Sequence, residues 1–422
     1  MNRTVKNRDV KHPKPVQKIT LSEKHSKARF ILAAVLAAVG VIALTYAFIS
    51  YLSADSGWTE IKANASSDMA NCSEDFIFQY YLGSDGIDAT AENKLLVKLY
   101  TEATQKAYQL FHSNQIFPGV NNIYYINCHP NEVIEVDEVL YQAFSLLERY
   151  DNRGIYLAPV YAEYFNLFYC NDDSETINYD PYQNPEVQSY FSELTTFAQN
   201  PQEIEIQLLG ENKIKLYVSD SYMAYAKETG FTGFIDFFWM KNAFIIDYIA
   251  DVMLENNYTK GNISSYDGFV RNLDKSGNNY SFTVFNREEQ TIYPAGIMQY
   301  DKGVSIVYAR NYPMNSKDSQ HYYELQNGEI RTSYIDISDG FCKSAVNNLI
   351  LYSYEESCAE VLMQMIPVYI SDSFSKERVS GLRTEGIYAV YCEDRKIVYN
   401  DDSLTLADLY DKDGVQYISY LE

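Results

Sequence analysis

The stretch IEIQLLGENKIKLY, residues 204–217, holds two short runs in which apolar and polar residues alternate on either side of a Gly-Glu-Asn segment. Alternation with a period of two predicts half-buried strands, and the segment between the runs predicts the turn of a β-hairpin. The 40 tyrosines of the chain fit a β-rich body, because aromatic residues favour strands. Further strands are predicted at 281–285, 292–295 and 304–308 and in the tail at 386–419.

Other segments show the 3.6-residue periodicity of amphipathic helices. They are 92–111, 137–150, 242–255 and 356–365, and the last of these is expected to be the final helix. In the second segment, Leu140, Phe144 and Leu147 share one face, and Asp137 is placed to cap the first turn. Helices mixed with hairpins predict an α+β fold, and the lack of an internal repeat or a Pro/Gly-rich linker after Trp58 favours one domain.

An uncharged run of 23 residues, 30–52, precedes this part of the chain. As a helix at about 1.5 Å per residue it would be roughly 35 Å long, more than a hydrocarbon core of about 30 Å. Before the run there are nine Lys and Arg residues and two acidic residues. After it there are 25 Lys and Arg residues and 55 acidic residues. The positive-inside rule therefore predicts a cytosolic tail at 1–29, a transmembrane anchor at 30–52 and an extracytosolic remainder. A cleaved signal peptide is the alternative, although its apolar core would be shorter, at about 7–15 residues.

Charge and motifs exclude several classes of function. A net charge of −23 argues against a nucleic-acid partner, because binding to phosphates needs clustered Lys and Arg. The sequence has no GxGxxG, GxxxxGK[ST], GxSxG or HExxH motif, which removes the usual evidence for dinucleotide, nucleoside-triphosphate, α/β-hydrolase and zincin sites. A multi-histidine zinc site is not expected, since only three histidines follow residue 53 and there is no CxxC pair. Six cysteines permit disulfides outside the cytosol without fixing their pairing.

Residues 236–247, DFFWMKNAFIID, hold two acids eleven positions apart with Lys241 between them. The spacing puts Asp236 and Asp247 near a transition from loop to helix, where a helix N-terminus can help to hold phosphate. Phe238 and Trp239 lie in the same loop, and their rings offer a surface on which a planar ligand could stack.

Three more stretches carry candidate site residues. HYYELQNG at 321–328 places His321 and Gly328 seven positions apart, and its Asn-Gly pair is also a strong turn signal. AEVLMQ at 359–364 puts Glu360 and Gln364 on one helix face, and carboxylate and amide oxygens are ligands that suit Mg²⁺. VSIVYARNY at 304–312 is interpreted as a strand and turn that end in Tyr312.

In order and spacing these stretches resemble the FAD:protein FMN transferase (ApbE-like) family, whose motifs DLGGIAKGYAVD, HxxxxxxG and ADALATA they match in part. The resemblance covers about residues 85–400. It implies an ApbE-like, T-fold-related α+β domain at 85–422, with 53–84 as an exported linker and first strand. Active members of the family move FMN from FAD to a Ser or Thr hydroxyl of an acceptor protein outside the membrane, and AMP leaves.

The resemblance also implies roles for the candidate residues. FAD would be the substrate, Mg²⁺ the metal, and a flavin-accepting membrane or exported protein the partner. The catalytic residues would be Asp236, Lys241 and His321; the cofactor-binding residues Asp247, Trp239, Gly328 and Tyr312; and the metal ligands Glu360 and Gln364.

Two alternatives stay open. In the first, the chain keeps the fold without catalysis and acts as a membrane-anchored binding or scaffold module. Phe238 and Trp239 favour this reading because they stand where the family has two glycines, and Glu360 and Gln364 favour it because they stand for its Asp and Thr. In the second, the chain is an unrelated acidic surface protein.

Overall fold

The computed structural model describes residues 26–52, 54–64 and 71–422. Internal contacts divide the chain into two compact units, Met1–Ala54 and Asp55–Glu422. The described part of the first unit forms helix α1 (Ser26–Leu52), which includes the predicted anchor, whereas the basic tail up to residue 25 lies outside the described residues. Within these ranges no helix is both long enough and apolar enough to cross a membrane, so the anchor stays a prediction.

In the second unit, helices and strands are mixed along the chain. Its α-helices are α2 Ala89–Phe111, α3 Ile123–Cys128, α4 Glu138–Arg149, α5 Ala158–Phe168, α6 Asp173–Thr176, α7 Pro185–Gln199, α8 Asp220–Thr229, α9 Lys241–Glu255, α10 Cys358–Tyr369 and α11 Lys376–Leu382. Its strands are β1 Gly57–Glu60, β2 Phe76–Leu82, β3 Val133–Glu135, β4 Ile204–Gly210, β5 Lys213–Val218, β6 Gly261–Ser265, β7 Phe269–Asn272, β8 Tyr280–Glu288, β9 Thr291–Tyr300, β10 Val304–Arg310, β11 Tyr322–Glu324, β12 Ile330–Thr332, β13 Asn348–Ser353, β14 Ile387–Glu393, β15 Lys396–Tyr399, β16 Thr405–Ala407, β17 Asp411–Lys412, β18 Val415–Gln416 and β19 Ile418–Leu421.

The main sheet has nine strands in the order β1-β2-β6-β7-β10-β13-β14-β15-β19. Its neighbours are antiparallel except β15 and β19, and the segment 53–84 supplies β1 and β2 at one edge. The middle strand β10 is buried at every residue. Burial on both faces explains why its sequence, VSIVYAR, is a nearly continuous apolar run where a half-exposed strand would alternate.

Layers cover both faces of the main sheet. Helices α9 and α10 pack on one face, and α2 packs against α9. On the other face, Val284 and Met298 from the β8–β9 hairpin join a core with Ile306, Ile350 and Val390 from the sheet. The observed architecture is therefore α+β, as predicted.

The predicted hairpin at 204–217 is confirmed. Strands β4 and β5 pair from Ile204 opposite Val218 to Gly210 opposite Lys213. Glu211 and Asn212 between them have φ values of 51° and 57°. A two-residue turn of type I′ requires positive φ at both positions, so the local turn closes the hairpin as the sequence indicated.

The predicted helices are confirmed as α2, α4, α9 and α10, and Asp137 caps α4 by accepting a hydrogen bond from Val139 N at 3.0 Å. The strands predicted at 281–285, 292–295 and 304–308 are confirmed as β8, β9 and β10. The expectation that α10 is the final helix is wrong, because α11 follows it. This helix has seven residues and buries only Val379 and Leu382, too few to give a visible apolar stripe.

All six cysteines are free thiols, so the disulfides that the sequence permits do not form in the part of the chain that the structure describes. Cys72, Cys342, Cys358 and Cys392 are buried among the core residues. Burial raises the pKa of Cys72 to about 12, which keeps this thiol protonated and unreactive at neutral pH.

Candidate functional site

The loop that leads into α9 keeps a glycine-like backbone while it carries large rings. Asp236 accepts a hydrogen bond from Phe238 N at 2.8 Å. Phe238 has a φ of +44°, a left-handed value that costs a residue with a Cβ about 1–2 kcal/mol and that glycine adopts readily. Its ring stacks on Tyr161 with centroids 4.8 Å apart. The loop therefore follows a strained path with an aromatic side chain at the position where the resembled motif has glycine.

Trp239, the next residue, lies inside the molecule. It lines a narrow cavity together with His321 and with Leu362 and Met365 of α10, and its ring packs edge-on against Tyr334 at 5.0 Å. The cavity measures about 20 Å³, which is room for about one water molecule. Pockets that bind small molecules measure about 300–1,000 Å³. The cavity beside His321 is therefore far too small for a flavin ring.

His321 and Asp267 are two of the titratable groups that line this cavity. Burial and then the charge of Lys241 lower the pKa of His321 to about 4, so its imidazole is neutral at pH 7. Burial raises the pKa of Asp267, whose Oδ2 accepts a hydrogen bond from Asn242 Nδ2 at 2.8 Å. Within the described chain, Nδ1 of His321 and Oδ1 of Asp267 are buried without a hydrogen-bond partner.

Lys241, the first residue of α9, is surrounded by carboxyl groups. Burial raises the pKa values of Asp75, Asp236 and Asp267, and the ammonium group of Lys241 opposes this in each case. With Asp75 and other residues, Lys241 lines a pocket of about 230 Å³. The structure therefore brings the three predicted catalytic residues, Asp236, Lys241 and His321, into one electrostatic neighbourhood.

Asp247 occupies the N-terminus of α10. Its carboxylate accepts hydrogen bonds from Cys358 N at 3.0 Å and from Ala359 N at 2.8 Å, and Arg271 Nε lies 3.8 Å away. Burial raises the pKa of Asp247 to about 6. Backbone N–H groups at a helix N-terminus are the groups that would hold a phosphate. Here the protein's own carboxylate takes that place.

Both predicted metal ligands have partners. Glu360 forms a capping box with Ser357, accepting from its N–H at 3.1 Å, and its other carboxylate oxygen accepts from Arg149 Nη1 at 3.1 Å. Gln364 Nε2 donates to Glu385 Oε2 at 2.8 Å. Among the described residues no group of three His, Cys, Asp or Glu side chains could hold a metal ion. Because both oxygens of Glu360 are engaged, the pair does not fit an Mg²⁺ site as it stands. The bond of Gln364 uses its amide nitrogen and not the oxygen that a metal would bind, and the metal assignment stays a prediction.

The predicted residues are not all brought together. Leu362 and Met365 face the cavity that holds His321, whereas Glu360 lines a separate groove. A helix turns by about 100° per residue, so positions 360 and 362 point roughly 200° apart. Neither Glu360 nor Gln364 lines the cavity.

Tyr312 and Gly328 also do not line the cavity. Tyr312 is fully buried, and its hydroxyl lies 3.0 Å from the hydroxyl of Tyr308. Gly328 has a φ of +86° in the turn between β11 and β12. The Asn-Gly turn signal is thereby confirmed, and the binding roles of both residues stay predictions.

The sequence reasoning missed Asp75, Asp267 and the buried pair of Arg310 and Asp318. Arg310 Nη2 donates to Asp318 Oδ1 at 2.6 Å, and both side chains are 2% exposed. The pair holds the segment that leads to His321 in place. No local pattern distinguishes a buried carboxylate from a solvated one, because burial comes from parts of the chain that are distant in sequence.

The comparisons with known proteins bear on the fold. The structure is similar to the ApbE protein from Thermotoga maritima, with a TM-score of 0.52 and 12% identity over 84% of this chain and 97% of that chain. The flavin transferase ApbE from Vibrio cholerae has a TM-score of 0.46 and 11% identity, over 86% of this chain and 99% of that chain. The Pseudomonas stutzeri flavinyl transferase ApbE has a TM-score of 0.43 and 11% identity, over 80% of this chain and 91% of that chain. No protein-family model and no curated protein matches the sequence. The first likeness confirms the predicted ApbE-like fold, and at 12% identity it shows the fold alone.

Proposed function

We propose that this chain is a non-catalytic protein with the ApbE-like fold, which acts as a binding or scaffold module. The observation that carries the proposal is the cavity of about 20 Å³ between Trp239 and His321. Transfer of FMN from FAD requires that the flavin nucleotide be held with its reacting phosphates in a fixed geometry. A cavity with room for one water molecule cannot hold it.

The groups that would bind a diphosphate support the same conclusion. The transfer of FMN from FAD needs a metal ion or fixed dipoles to neutralise the charge of the pyrophosphate. In this chain the first N–H groups of α10 donate to Asp247, and both oxygens of Glu360 are engaged by Ser357 and Arg149. These two groups, the N-terminus of α10 and Glu360, already have partners within the protein.

A second candidate is an FAD:protein FMN transferase with Mg²⁺, as the resemblance implies. It is favoured by the closeness of Asp236, Lys241 and His321 and by the pocket at Lys241. That pocket of about 230 Å³ is below the usual range of about 300–1,000 Å³. A groove of about 500 Å³ lined by Asp247 and Glu360 is within that range, but Lys241 and His321 do not line it.

Titration with FAD separates the two candidates. The full chain is titrated with FAD with and without Mg²⁺, and flavin fluorescence and melting temperature are recorded. The non-catalytic proposal predicts no Mg²⁺-dependent binding. Binding that requires Mg²⁺, that is lost in Glu360→Ala and Gln364→Ala and that persists in the exposed control Glu377→Ala would contradict the non-catalytic proposal's main premise and favour the second candidate.

We also propose that the module is anchored in the cell membrane by residues 30–52, with the remainder outside the cytosol. The proposal rests on the uncharged run and on the basic balance before it. Protease added to intact cells should then digest residues after 52 and leave the tail protected. A secreted product that lacks residues 1–52 would contradict the anchor.

A further inference from the structure

An elongated groove lies on the surface between α4, α9 and the first turn of α10, apart from the cavity at His321. Its volume is about 500 Å³. Helix α4 lines it from Glu138 to Arg149, and α9 lines it from Phe244 to Glu255. Each stretch covers eleven residue steps, or about 16 Å of helix at about 1.5 Å per residue. A site that follows two helices along their lengths fits an elongated segment better than a compact small molecule.

The floor of the groove is apolar. Ala143 and Leu146 of α4 and Phe244 and Val252 of α9 line it, and Leu146 and Val252 are half-buried. A third helix that laid an apolar face between α4 and α9 would bury these side chains, and this is the usual way in which a groove receives an amphipathic helix.

The rim of the groove carries an excess of negative charge. Burial raises the pKa of Asp251 and the nearby charge of Arg271 opposes this, so the excess at Asp251 is partly compensated. The two basic residues that line the groove are already paired, Lys106 with Asp137 at 2.9 Å and Arg149 with Glu360 at 3.1 Å. Three further carboxylates line the groove and make no ion pair within the described residues. They are Glu138, Asp251 and Glu255.

Two of these carboxylates destabilise the helix that carries them. Asp251 and Glu255 are four residues apart on α9, where like charges repel each other. Glu255 is also the last residue of α9, at the negative end of the helix dipole, and the last turn has no basic residue. Local conflicts of this kind are expected where a function needs them. A cationic partner would relieve both.

We propose that this groove is a docking site for an amphipathic helix of another protein, one that carries Lys or Arg along one side and Leu-type residues along the other. The apolar side packs on Leu146 and Val252, and the basic side faces Glu138, Asp251 and Glu255. Asp247 and Glu360, for which the resemblance implies cofactor and metal binding, also line this groove, so a bound flavin nucleotide and a docked helix would compete for it. The docking proposal is therefore tested by its own variants, at Asp251 and Glu255, and not by the titration with FAD.

The test uses the full chain in non-ionic detergent and a fluorescent 18-residue Leu/Lys peptide with Leu at helical spacing. A titration into protein-free micelles is subtracted. Asp251→Lys/Glu255→Lys should weaken binding at least tenfold. The control Glu132→Lys/Glu228→Lys makes the same change in charge at exposed positions outside the groove and should change binding less than twofold.

Three results would overturn the proposal. The first is that both double variants weaken binding equally. The second is that a scrambled peptide of the same composition binds as tightly as the helix-forming one. The third is that no binding is seen beyond the micelle blank. A second copy as occupant would appear as self-association of the wild-type chain that Asp251→Lys/Glu255→Lys abolishes, and this too would contradict a foreign helix.

Discussion

The cavity at His321 and the groove beside α9 differ in how much open space and how much exposed charge they offer to a ligand. In the cavity, Trp239 fills the space and leaves about 20 Å³, whereas the groove leaves about 500 Å³ open to solvent. In the cavity, Asp267 is buried beside His321; in the groove, Asp251 and Glu255 are exposed and make no ion pair within the described chain. The difference indicates that the open space of the protein lies at the surface, beside Asp247 and Glu360, and not in the interior beside Trp239 and His321.

The largest effect that tests this contrast is expected at Trp239, which is 7% exposed. Trp239→Ala should lower the free energy of unfolding by about 4 kcal/mol, since it removes a large side chain from a packed interior. The chain has one other tryptophan, Trp58, which is 49% exposed, and Trp58→Ala should cost less than about 1 kcal/mol. Denaturant unfolding of both variants gives the comparison. Similar losses would show that the cavity is not a packed core.

His321 should give stability a pH dependence of definite sign. Its pKa falls from 6.5 to about 4 on folding, so the unfolded chain binds more protons between those values. Stability should therefore be lost as pH falls through this window, by about 3 kcal/mol at most. The difference in unfolding free energy between wild type and His321→Gln, measured from pH 4 to 7, should rise with pH. A flat difference would mean that the imidazole is solvated and the cavity open.

Asp247, which lines the groove, should give the unfolding free energy a pH dependence of the opposite sign. Its pKa rises from 3.8 to about 6 on folding, a slightly smaller shift, so the folded chain binds more protons in that range. The stabilisation is present below pH 4 and is lost as pH rises through 6, again by about 3 kcal/mol at most. The difference between wild type and Asp247→Asn should fall with pH. A rise would mean that Arg271 outweighs burial and that this helix end favours an anion.

The sequence was sufficient where structure depends on local pattern. The Glu211-Asn212 turn, the cap at Asp137 and the period-two strands could all be predicted, because each depends on residues within a few positions. The site could be predicted only in part. The charge of Lys241 acts on both Asp236 and His321, whereas the roles of these residues stay predictions, and the partners that occupy Asp247 and Glu360 come from other segments. Only the folded chain shows that these groups are already satisfied.

The smallest expected change in the free energy of unfolding is at Phe238, and it tests whether the loop before α9 keeps a backbone path that suits glycine. At Phe238, a change to Gly removes about 1–2 kcal/mol of left-handed strain and also removes the stacking on Tyr161, worth about 0.5–1.5 kcal/mol, with some burial. The two nearly cancel, so Phe238→Gly should change the free energy of unfolding by less than about 1 kcal/mol. The neighbouring control Phe237→Gly, at a φ of −76° and fully buried, should cost about 4 kcal/mol or more. Equal losses at the two positions would mean that the ring of Phe238 fixes the loop and that the loop's path is not inherited from a glycine backbone.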